Sequence, residues 1–586
     1  MNARIDHVRQ VMQSAETIKV PEDLQPDQGN GGGDQDEAAA TPPEGHAAEL
    51  PLNDVGNGQR FIIYEGEDTL QVPRVGWFCW DGRAWAKDDD NIVVRRRAQT
   101  ISDRILGEVA FLTLPDWSKE AMEQLNANIA LKKKLMEDEG ADPEALIHLE
   151  EKIRQGHESK VYFSKLKKDH RTFAKSTGNT SKIDAMLREA GVHLSRVLDD
   201  LDADPLTINC ENGTIRFTRD ASGVSMAFAD HQRSDLLSKM LPVNYAPRAT
   251  APGFDAFLQR VMPDPVMRAF IQRSLGLSLT GLTIQHLWFF YGQGANGKSV
   301  LIDLIARILG NYAATAKIES LTGQSKRSGQ EATPDLVPLM GARFVRASEP
   351  EEGERLKEGV IKELTGGEPI LVRALHSDFV EVKPKFKLFI SGNHRPEIRG
   401  TDDGIWRRML LVPFDVQIPE AERDVNLGKR LFEEERAGIL NWMLDGLRDY
   451  LENGLAIPDQ VRAATAEYRE DSDPVGSFLT NSCIVDASPE TFTATRDLVD
   501  AFQWWQAANG DTPWQNRTIA LRLKDKAGRW SDANGKSFTA GKRSIKGYFG
   551  IKLTDEFLRM KADSPDPKNV RPTEPQNTYT PSLKDF

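Results

Sequence analysis

Three features are scarce in this chain of 586 residues, and each scarcity argues against a class of protein. Only three cysteines occur, Cys79, Cys210 and Cys483, and their wide spacing suggests neither a disulfide framework nor a zinc knuckle. No run of 18 or more apolar residues appears, so we expect no membrane-spanning helix. Lys and Arg number 75 against 88 Asp and Glu, which argues against a uniformly basic nucleic-acid binder.

The rest of the composition describes an ordinary globular protein. Apolar residues make up 39% and charged residues 28% of the chain. The length suggests three or four domains. We recognise no secretory leader, and the few cysteines fit a reducing compartment, so we expect a cytoplasmic protein without membrane attachment.

The most informative motif is a glycine-rich loop between an apolar stretch, 288–291, and a helix-like stretch, 300–309. Its spacing, Gly-x-x-x-x-Gly-Lys-Ser, is that of the Walker A phosphate loop, in which backbone N–H groups surround phosphate oxygens. Lys298 can reach the β/γ-phosphates and Ser299 can bind Mg²⁺, so we expect ATP and Mg²⁺ as cofactors. The predicted nucleotide-binding residues are Gly292, Gln293, Gly294, Ala295, Asn296, Gly297, Lys298 and Ser299.

Hydrolysis needs further polar groups near the phosphates. Glu349 ends an apolar stretch about fifty residues after Lys298, and such an acid can hold Mg²⁺ or orient water. Glu351 and Glu352 are alternatives for this task. Asn393 ends another apolar stretch and suits a sensor of the γ-phosphate, although an Asn at a strand end is commonly a turn former.

Two basic segments complete the pattern. Between 364 and 387, two short apolar segments flank residues 375–378, which predicts a protruding hairpin. Its basic side chains are candidate DNA contacts: Arg373, His376, Lys383 and Lys385. Arg407 and Arg408 precede an apolar strand, where an arginine could act as a finger in a neighbouring subunit's site or be a plain surface pair.

These motifs, in this order and spacing, resemble superfamily 3 helicases of the phage/plasmid primase-helicase family, which includes poxvirus-type enzymes. The matching segments are Gly292–Ser299, Ser348–Gly353, Leu364–Arg373, Pro384–Asn393 and Trp406–Phe414. The resemblance implies an AAA+-related motor that forms a ring, usually a hexamer, around DNA and translocates 3′-to-5′. It implies the Walker B acid at Glu349, sensor 1 at Asn393, and the arginine finger at Arg408 or Arg407.

The resemblance also points to His376 as the pore contact, although family hairpins often present a Lys-His pair and Leu375 stands here instead. Many relatives carry a primase module ahead of the helicase. The segment before residue 50 is too short for one, so a separate primase partner is an open possibility.

We therefore predict a multidomain α/β protein. The predicted parts are a disordered acidic segment (1–50), an α+β amino-terminal domain (51–250), an AAA+-like ATPase domain with a central parallel sheet (251–470), a winged-helix-like DNA-binding domain (471–560) and a disordered tail (561–586). Within the second part, 60–64 and 76–85 read as short strands. Basic residues interleaved with Trp530, Phe538 and Tyr548 suggest DNA contact by the fourth part.

The function we expect is that of an ATP-dependent replicative DNA helicase of a phage, plasmid or integrated element, acting on single-stranded or forked DNA. The residues alone leave two alternative functions open. A phosphate-loop kinase of small molecules would need an acceptor pocket and a lid, and a DNA-binding scaffold would not hydrolyse ATP.

Overall fold

The structure is a computed structural model that describes residues 42–137, 142–323, 332–373, 378–398, 403–510 and 512–564. Within those ranges no helix is both long and apolar enough to cross a membrane. Residue contacts divide the chain into two units, one of Met1–Tyr64 with Thr100–Lys182, the other of Glu65–Gln99 with Ile183–Phe586. This division does not follow the predicted boundary at residue 250.

The first unit is helical where it is described. The helices of this part of the chain, three of which (α2, α3 and α6) have residues in both units, are α1 Pro43–Ala48, α2 Asp54–Glu65, α3 Ile92–Glu108, α4 Asp116–Met136, α5 Pro143–Thr177 and α6 Thr180–His193. Two predictions are corrected here. Residues 43–48 are helical with Ala47 and Ala48 buried, so the predicted disorder of 1–50 does not hold there, while 1–41 lie outside the described residues.

The second correction concerns 60–64, which belong to α2 and not to a strand. Arg60 is fully buried, its Nε lies 3.0 Å from Glu108 Oε2, and it donates to the carbonyls of Ala47 and Leu50 at 3.1 Å. A buried charge persists only when it is paired and hydrogen-bonded. Local β propensity is therefore overridden by partners distant in sequence.

The second unit begins with two small antiparallel sheets. Their strands are β1 Thr69–Val72, β2 Gly76–Trp80, β3 Trp85–Asp88, β4 Thr207–Cys210, β5 Gly213–Asp220 and β6 Gly223–Ala229. The strand expectation for 76–85 is confirmed, and Trp77 and Trp85 are 6% and 4% exposed, so they belong to the core. Helices α7 Pro252–Val261 and α8 Pro265–Leu277 then lead to the central sheet.

The central sheet contains five parallel strands: β7 Leu287–Tyr291, β8 Ala313–Thr315, β9 Phe344–Ser348, β12 Lys387–Gly392 and β13 Met409–Pro413. Their order across the sheet is β13-β7-β12-β9-β8. Helices α9 Lys298–Leu309, α10 Ile318–Leu321, α11 Glu358–Gly366 and α12 Asp403–Trp406 connect them. The predicted hairpin is present as β10 Ile370–Val372 paired with β11 Val380–Val382.

Both faces of this sheet are buried, which explains why its strands are continuously apolar. Side chains alternate between the faces, so Trp288 and Phe290 enter one core cluster while Leu287 and Phe289 enter the other. Trp288 stacks on Phe389 of the adjacent strand with ring centroids 4.8 Å apart. The predicted parallel sheet in a multidomain α/β chain is thus confirmed.

The carboxyl-terminal part packs around its own core cluster. It follows two helices, α13 Leu427–Asn453 and α14 Asp459–Asp471. Its own helices are α15 Pro474–Ser482, α16 Thr495–Ala508, α17 Asn516–Lys526 and α18 Asp555–Asp563. Its strands are β14 Cys483–Val485, β15 Phe492–Ala494, β16 Thr539–Lys542, β17 Lys546–Phe549 and β18 Ile551–Leu553. Phe538 and Tyr548 are buried at 0% and 3% exposure, so these two aromatics belong to this core. Helix α18 ends beyond residue 560, and 565–586 lie outside the described residues.

Candidate nucleotide-binding site

The carboxyl ends of the parallel strands β7, β12 and β13 lie side by side at one end of the central sheet. This end of the sheet, where the strands stop, is the loop edge. Register places Tyr291 of β7 level with Gly392 of β12 and with Pro413 of β13. The glycine-rich loop leaves β7 at Gly292, and Asn393 is the first residue after β12. Open α/β sheets bind ligands outside this end of the strands.

Glu349 reaches the same edge from β9. Its backbone N–H donates to the Ser391 carbonyl at 2.7 Å, which fixes the end of β9 beside β12. Its φ of 54° lies in the left-handed region that non-glycine residues rarely adopt. The side chain is exposed at this edge, where the backbone turns sharply away from the strand.

The loop backbone is held in a shape that only glycine allows at two points. A Cβ at Gly292 would lie 2.3 Å from the Phe414 carbonyl oxygen, and one at Gly297 would lie 2.7 Å from Val261 Cγ1. Gly297 also has a φ of 83°, and helix α9 begins directly after it. The first-turn N–H groups of α9 therefore face the loop, as anion-binding helix starts do.

Asn296 ties the loop to the segment after β13. Its Nδ2 donates to the Phe414 carbonyl at 3.1 Å and to the Gln293 carbonyl at 2.5 Å. The Ile418 N–H donates to the Ala295 carbonyl at 2.7 Å. The motif spacing alone gave Asn296 no such structural task, because its partner lies 118 residues away.

Lys298 joins the loop to the other two site residues. The residue is 4% exposed, and its ammonium donates to the Gly292 carbonyl at 2.5 Å and lies 3.3 Å from Asn393 Oδ1. Burial lowers the pKa of Lys298 to about 8, and the Glu349 carboxylate opposes that shift. A lysine, an amide and a carboxylate from three different strand ends thus converge on the loop.

Ser299 lies in the first turn of α9 with its side chain exposed beside this cluster. A serine hydroxyl and the Glu349 carboxylate are hard oxygen donors of the kind that Mg²⁺ prefers. In the described part of the chain, no group of three or more His, Cys, Asp and Glu could hold a metal ion unaided. Phosphate oxygens and water would have to supply the other ligands, as is usual for Mg²⁺.

Arg395 is a residue of this edge that sequence reasoning missed. Its guanidinium lies over the Tyr291 ring, 4.7 Å from the centroid, and Nη1 lies 3.2 Å from Asp471 Oδ2. Its position two residues after the predicted sensor was the only signal that could have found it.

The two candidate finger arginines differ sharply. Arg408 is 6% exposed, and its Nη1 donates to the Gly404 carbonyl at 2.7 Å. Arg407 is exposed and lines a cleft of about 490 Å³ together with Arg462 and Arg469. Both arginines precede β13, so they lie at the amino ends of the parallel strands. The loop lies at the other end of the sheet, where the strands stop.

The hairpin residues are only partly described. His376, the expected pore contact, lies outside the described residues. The Arg373 guanidinium lies 4.8 Å from the centroid of the Phe379 ring. Lys383 is exposed, whereas Lys385 is half-buried and its Nζ lies 3.3 Å from the Asp202 carbonyl oxygen.

Comparison with protein families gives two matches. Residues 58–263 match the family described as "D5 N terminal like", and residues 290–408 match a family of unknown function, DUF5906. The second match contains the loop, Glu349, Asn393 and both finger candidates.

Curated relatives come from viruses. The chain is 29% identical over 278 residues to "Putative helicase L207/L206" of Acanthamoeba polyphaga mimivirus, covering 44% of this chain and 29% of that protein. It is 27% identical to "Putative helicase 022R" of Frog virus 3, covering 43% and 28%. It is 21% identical to "Putative primase C962R" of African swine fever virus (isolate Warthog/Namibia/Wart80/1980), covering 64% and 41%. The matches thus span less than half of each relative's length.

Among solved structures, "The apo structure of NrS-1 C terminal region (305-718)" is similar at 13% identity and a TM-score of 0.32, covering 53% of this chain and 78% of that one. The sheet and its loop define a multidomain α/β protein with a glycine-rich loop at the carboxyl ends of its parallel strands. Within that class, the two family matches and the viral relatives agree with the resemblance to superfamily 3 primase-helicases of phages and viruses.

Proposed function

We propose that this chain is an ATP-hydrolysing DNA helicase that works as a ring of identical subunits, with translocation in the 3′-to-5′ direction. The observation that carries the proposal is the convergence of Lys298, Asn393 and Glu349 on the loop at one edge of the parallel sheet. The strand that bears Asn393 lies between the strands that bear the loop and the acid. A lysine, an amide and a carboxylate in this arrangement suit hydrolysis of the bond between the β- and γ-phosphates of a nucleoside triphosphate.

Each residue has a distinct role in this proposal. The Lys298 ammonium exchanges the Gly292 carbonyl for the β/γ-phosphate oxygens of ATP, and the loop N–H groups bind the remaining oxygens. Asn393 orients the γ-phosphate or the attacking water. Ser299 and Glu349 would hold Mg²⁺, which when bound would neutralise charge on the phosphates.

The arginine finger in this proposal is Arg407. A finger has to leave its own subunit and enter the neighbour's site, which requires an exposed guanidinium. Arg407 is exposed beside Arg462 and Arg469, whereas Arg408 is buried against the Gly404 carbonyl. Because both lie at the edge opposite to the chain's own loop, either one would serve a neighbouring subunit and not its own.

DNA contact is assigned to two elements. The first is the hairpin β10–β11, with Arg373, His376, Lys383 and Lys385 as the candidates named by the sequence. The second is the carboxyl-terminal part, whose helices and three-stranded sheet β15-β17-β16 we assign to the winged-helix type. The names of the viral relatives, helicase and primase, support a role in DNA replication.

The test is strand displacement on forked DNA together with ATPase activity, for the wild type and Lys298→Ala. We expect both activities to be lost in the variant, while Lys429→Ala, an exposed lysine on α13, retains them. ATPase activity that DNA does not stimulate would favour the small-molecule kinase. An absence of ATPase activity in the wild type would favour the scaffold.

A further inference from the structure

A basic cavity of about 270 Å³ lies in the second unit, away from the loop edge. Arg343 immediately precedes β9 and Lys385 lies two residues before β12, so the cavity is at the amino ends of the parallel strands. Strands of five or six residues separate it from the loop edge by about 16–20 Å. It is therefore a different place from the nucleotide site described above.

The cavity wall has an excess of positive charge. Five basic side chains line it against two acidic ones: Lys87, Lys239, Arg343, Lys383 and Lys385 against Asp199 and Asp202. The Asp202 carboxylate is already engaged by Ser238, whose backbone N–H lies 3.0 Å from Oδ1 and whose hydroxyl contacts Oδ2. The positive charge of the wall is thus only partly neutralised from within.

Among the residues that line the cavity, Arg343 gives the strongest evidence for an anionic ligand. It is 2% exposed, its Nη1 donates to the Leu279 carbonyl at 2.6 Å, and its guanidinium lies 4.2 Å from the centroid of the Tyr312 ring. Its Nη2 is buried and has no hydrogen-bond partner among the described residues. A buried charged donor without a partner costs free energy, so it points to a ligand that supplies the acceptor.

Two lysines line the same cavity as Arg343. The stem of Lys239 packs over Gly341, with Cε 3.2 Å from the position a Cβ would take there. Burial lowers the pKa of Lys239, the nearby Lys87 lowers it further, and Asp202 opposes them. Lys385 is held at the wall by the Asp202 backbone carbonyl, 3.3 Å from its Nζ. Together with Arg343 they form a prearranged set of donors for an anion.

The lining of the cavity also includes apolar side chains, among them Phe78, Leu198, Val337 and Met340. A bare inorganic ion would leave these side chains without a contact. An anion attached to a flat or apolar body would contact both the basic and the apolar side chains, and a nucleoside phosphate is such a molecule. The volume is near the lower end of the range of about 300–1,000 Å³ for ligand pockets, which suits one nucleotide unit.

We propose that this cavity binds the phosphate of one nucleotide through Arg343, Lys239 and Lys385, with the nucleoside against the apolar side chains of the lining. The proposal goes beyond ATP hydrolysis and does not rest on it. The nucleotide is either free or part of a DNA strand, and the two sources share the phosphate chemistry that the cavity recognises.

The experiment is a calorimetric titration of the full chain carrying Lys298→Ala, so that the loop site contributes little. We expect thymidine 5′-monophosphate to bind at one site per chain and thymidine, which lacks the phosphate, to bind at least tenfold more weakly. Adding Lys239→Gln and Lys385→Gln should weaken thymidine 5′-monophosphate at least tenfold. Adding Lys429→Gln, on the exposed face of α13, should change nothing.

Two results would overturn the proposal: no saturable binding, or equal affinity with and without the two cavity lysines when circular dichroism shows the variant folded. A single-stranded oligonucleotide distinguishes the sources. If it displaces the monophosphate, the cavity holds a nucleotide of a DNA strand, and if it does not, the ligand is a free nucleotide. Because Lys298→Ala is present throughout, loss of ATPase activity cannot produce either overturning result.

Discussion

The Lys298 ammonium makes its hydrogen bonds inside the protein. Its partners are the Gly292 carbonyl and the Asn393 amide oxygen, and it is largely removed from water. Binding of a triphosphate has to replace these neutral partners with charged ones. Charge-assisted hydrogen bonds are roughly twice as strong as neutral ones, so the exchange is favourable.

This environment predicts a pH dependence of nucleotide binding. Burial lowers the pKa of Lys298 to about 8, so the lysine is an ammonium below that pH and loses its proton above it. The anionic ligand requires the ammonium. We expect ATP affinity to be flat below about pH 8 and to fall by up to tenfold per pH unit above it. Equilibrium fluorescence titration with a labelled ATP analogue would measure this.

The control for that profile is Lys298→Ala, which has no ammonium to lose. Its affinity should be weaker and should show no break near pH 8. An identical break in the variant would mean that another group causes it. A flat wild-type profile up to about pH 10, near the ordinary lysine pKa, would show that the burial of Lys298 does not govern binding.

The adjacent arginines give a matched pair of variants. We expect Arg407→Ala to lower kcat for ATP about 10³-fold or more while the urea midpoint of unfolding stays unchanged, because an exposed finger acts only on transition-state charge. We expect Arg408→Ala to lower the free energy of unfolding by about 1.5–3 kcal/mol, because it removes a buried charged hydrogen bond to Gly404. Full activity in Arg407→Ala would move the finger to another residue.

At the scale of elements, the β16–β17 hairpin concentrates positive charge. Lys542 and Lys546 are directly opposite each other across the hairpin, both exposed, with Arg543 between them in sequence. Like charges in opposite positions destabilise a strand pair, so a phosphate ligand would relieve the repulsion. By contrast, Lys526 of α17 is paired with Asp473 and is less available.

We therefore expect Lys542→Gln with Lys546→Gln to weaken binding to duplex DNA and to make it less dependent on salt. Each lost phosphate contact should reduce the slope of log K against log[salt] by about 0.9. Fluorescence anisotropy over a salt series would measure it. Lys429→Gln together with Lys133→Gln serves as the charge-matched control, because both lysines are exposed on helices, α13 and α4. An unchanged slope in the hairpin variant would exclude this hairpin from the DNA interface.

At the scale of the whole molecule, the loop and the finger candidates lie at opposite edges of one sheet. If one of these arginines is the proposed finger, it has to act in a neighbouring subunit's site. We expect Lys298→Ala chains mixed into wild-type rings to suppress ATPase activity more than their share of the mixture predicts. In ATPase assays over a series of mixing ratios, activity plotted against the fraction of variant chains should fall below the straight line that joins the two pure proteins. A straight line would mean that subunits hydrolyse ATP independently.

Prediction from the sequence worked best where a motif is local. The loop, its flanking strand and its helix lie within about twenty residues, and the structure has all three. It failed at 60–64, where β-prone residues are helical because Arg60 pairs with Glu108, 48 residues away. It left open whether Phe538 and Tyr548 are buried, because a pattern of alternating basic and aromatic residues does not reveal which face packs into the core.

The amino-acid sequence by itself determined the glycine-rich loop, the parallel-sheet class and the resemblance to a family, because glycine spacing and continuous apolar strands are local consequences of residue type. Only the tertiary structure decided that Asn393 lies beside Lys298, that Arg408 is buried while Arg407 is exposed, and that Arg343 lines a basic cavity. These facts depend on strand order and on contacts between residues far apart in the chain. Such contacts are set by packing, which the local pattern of residues does not record.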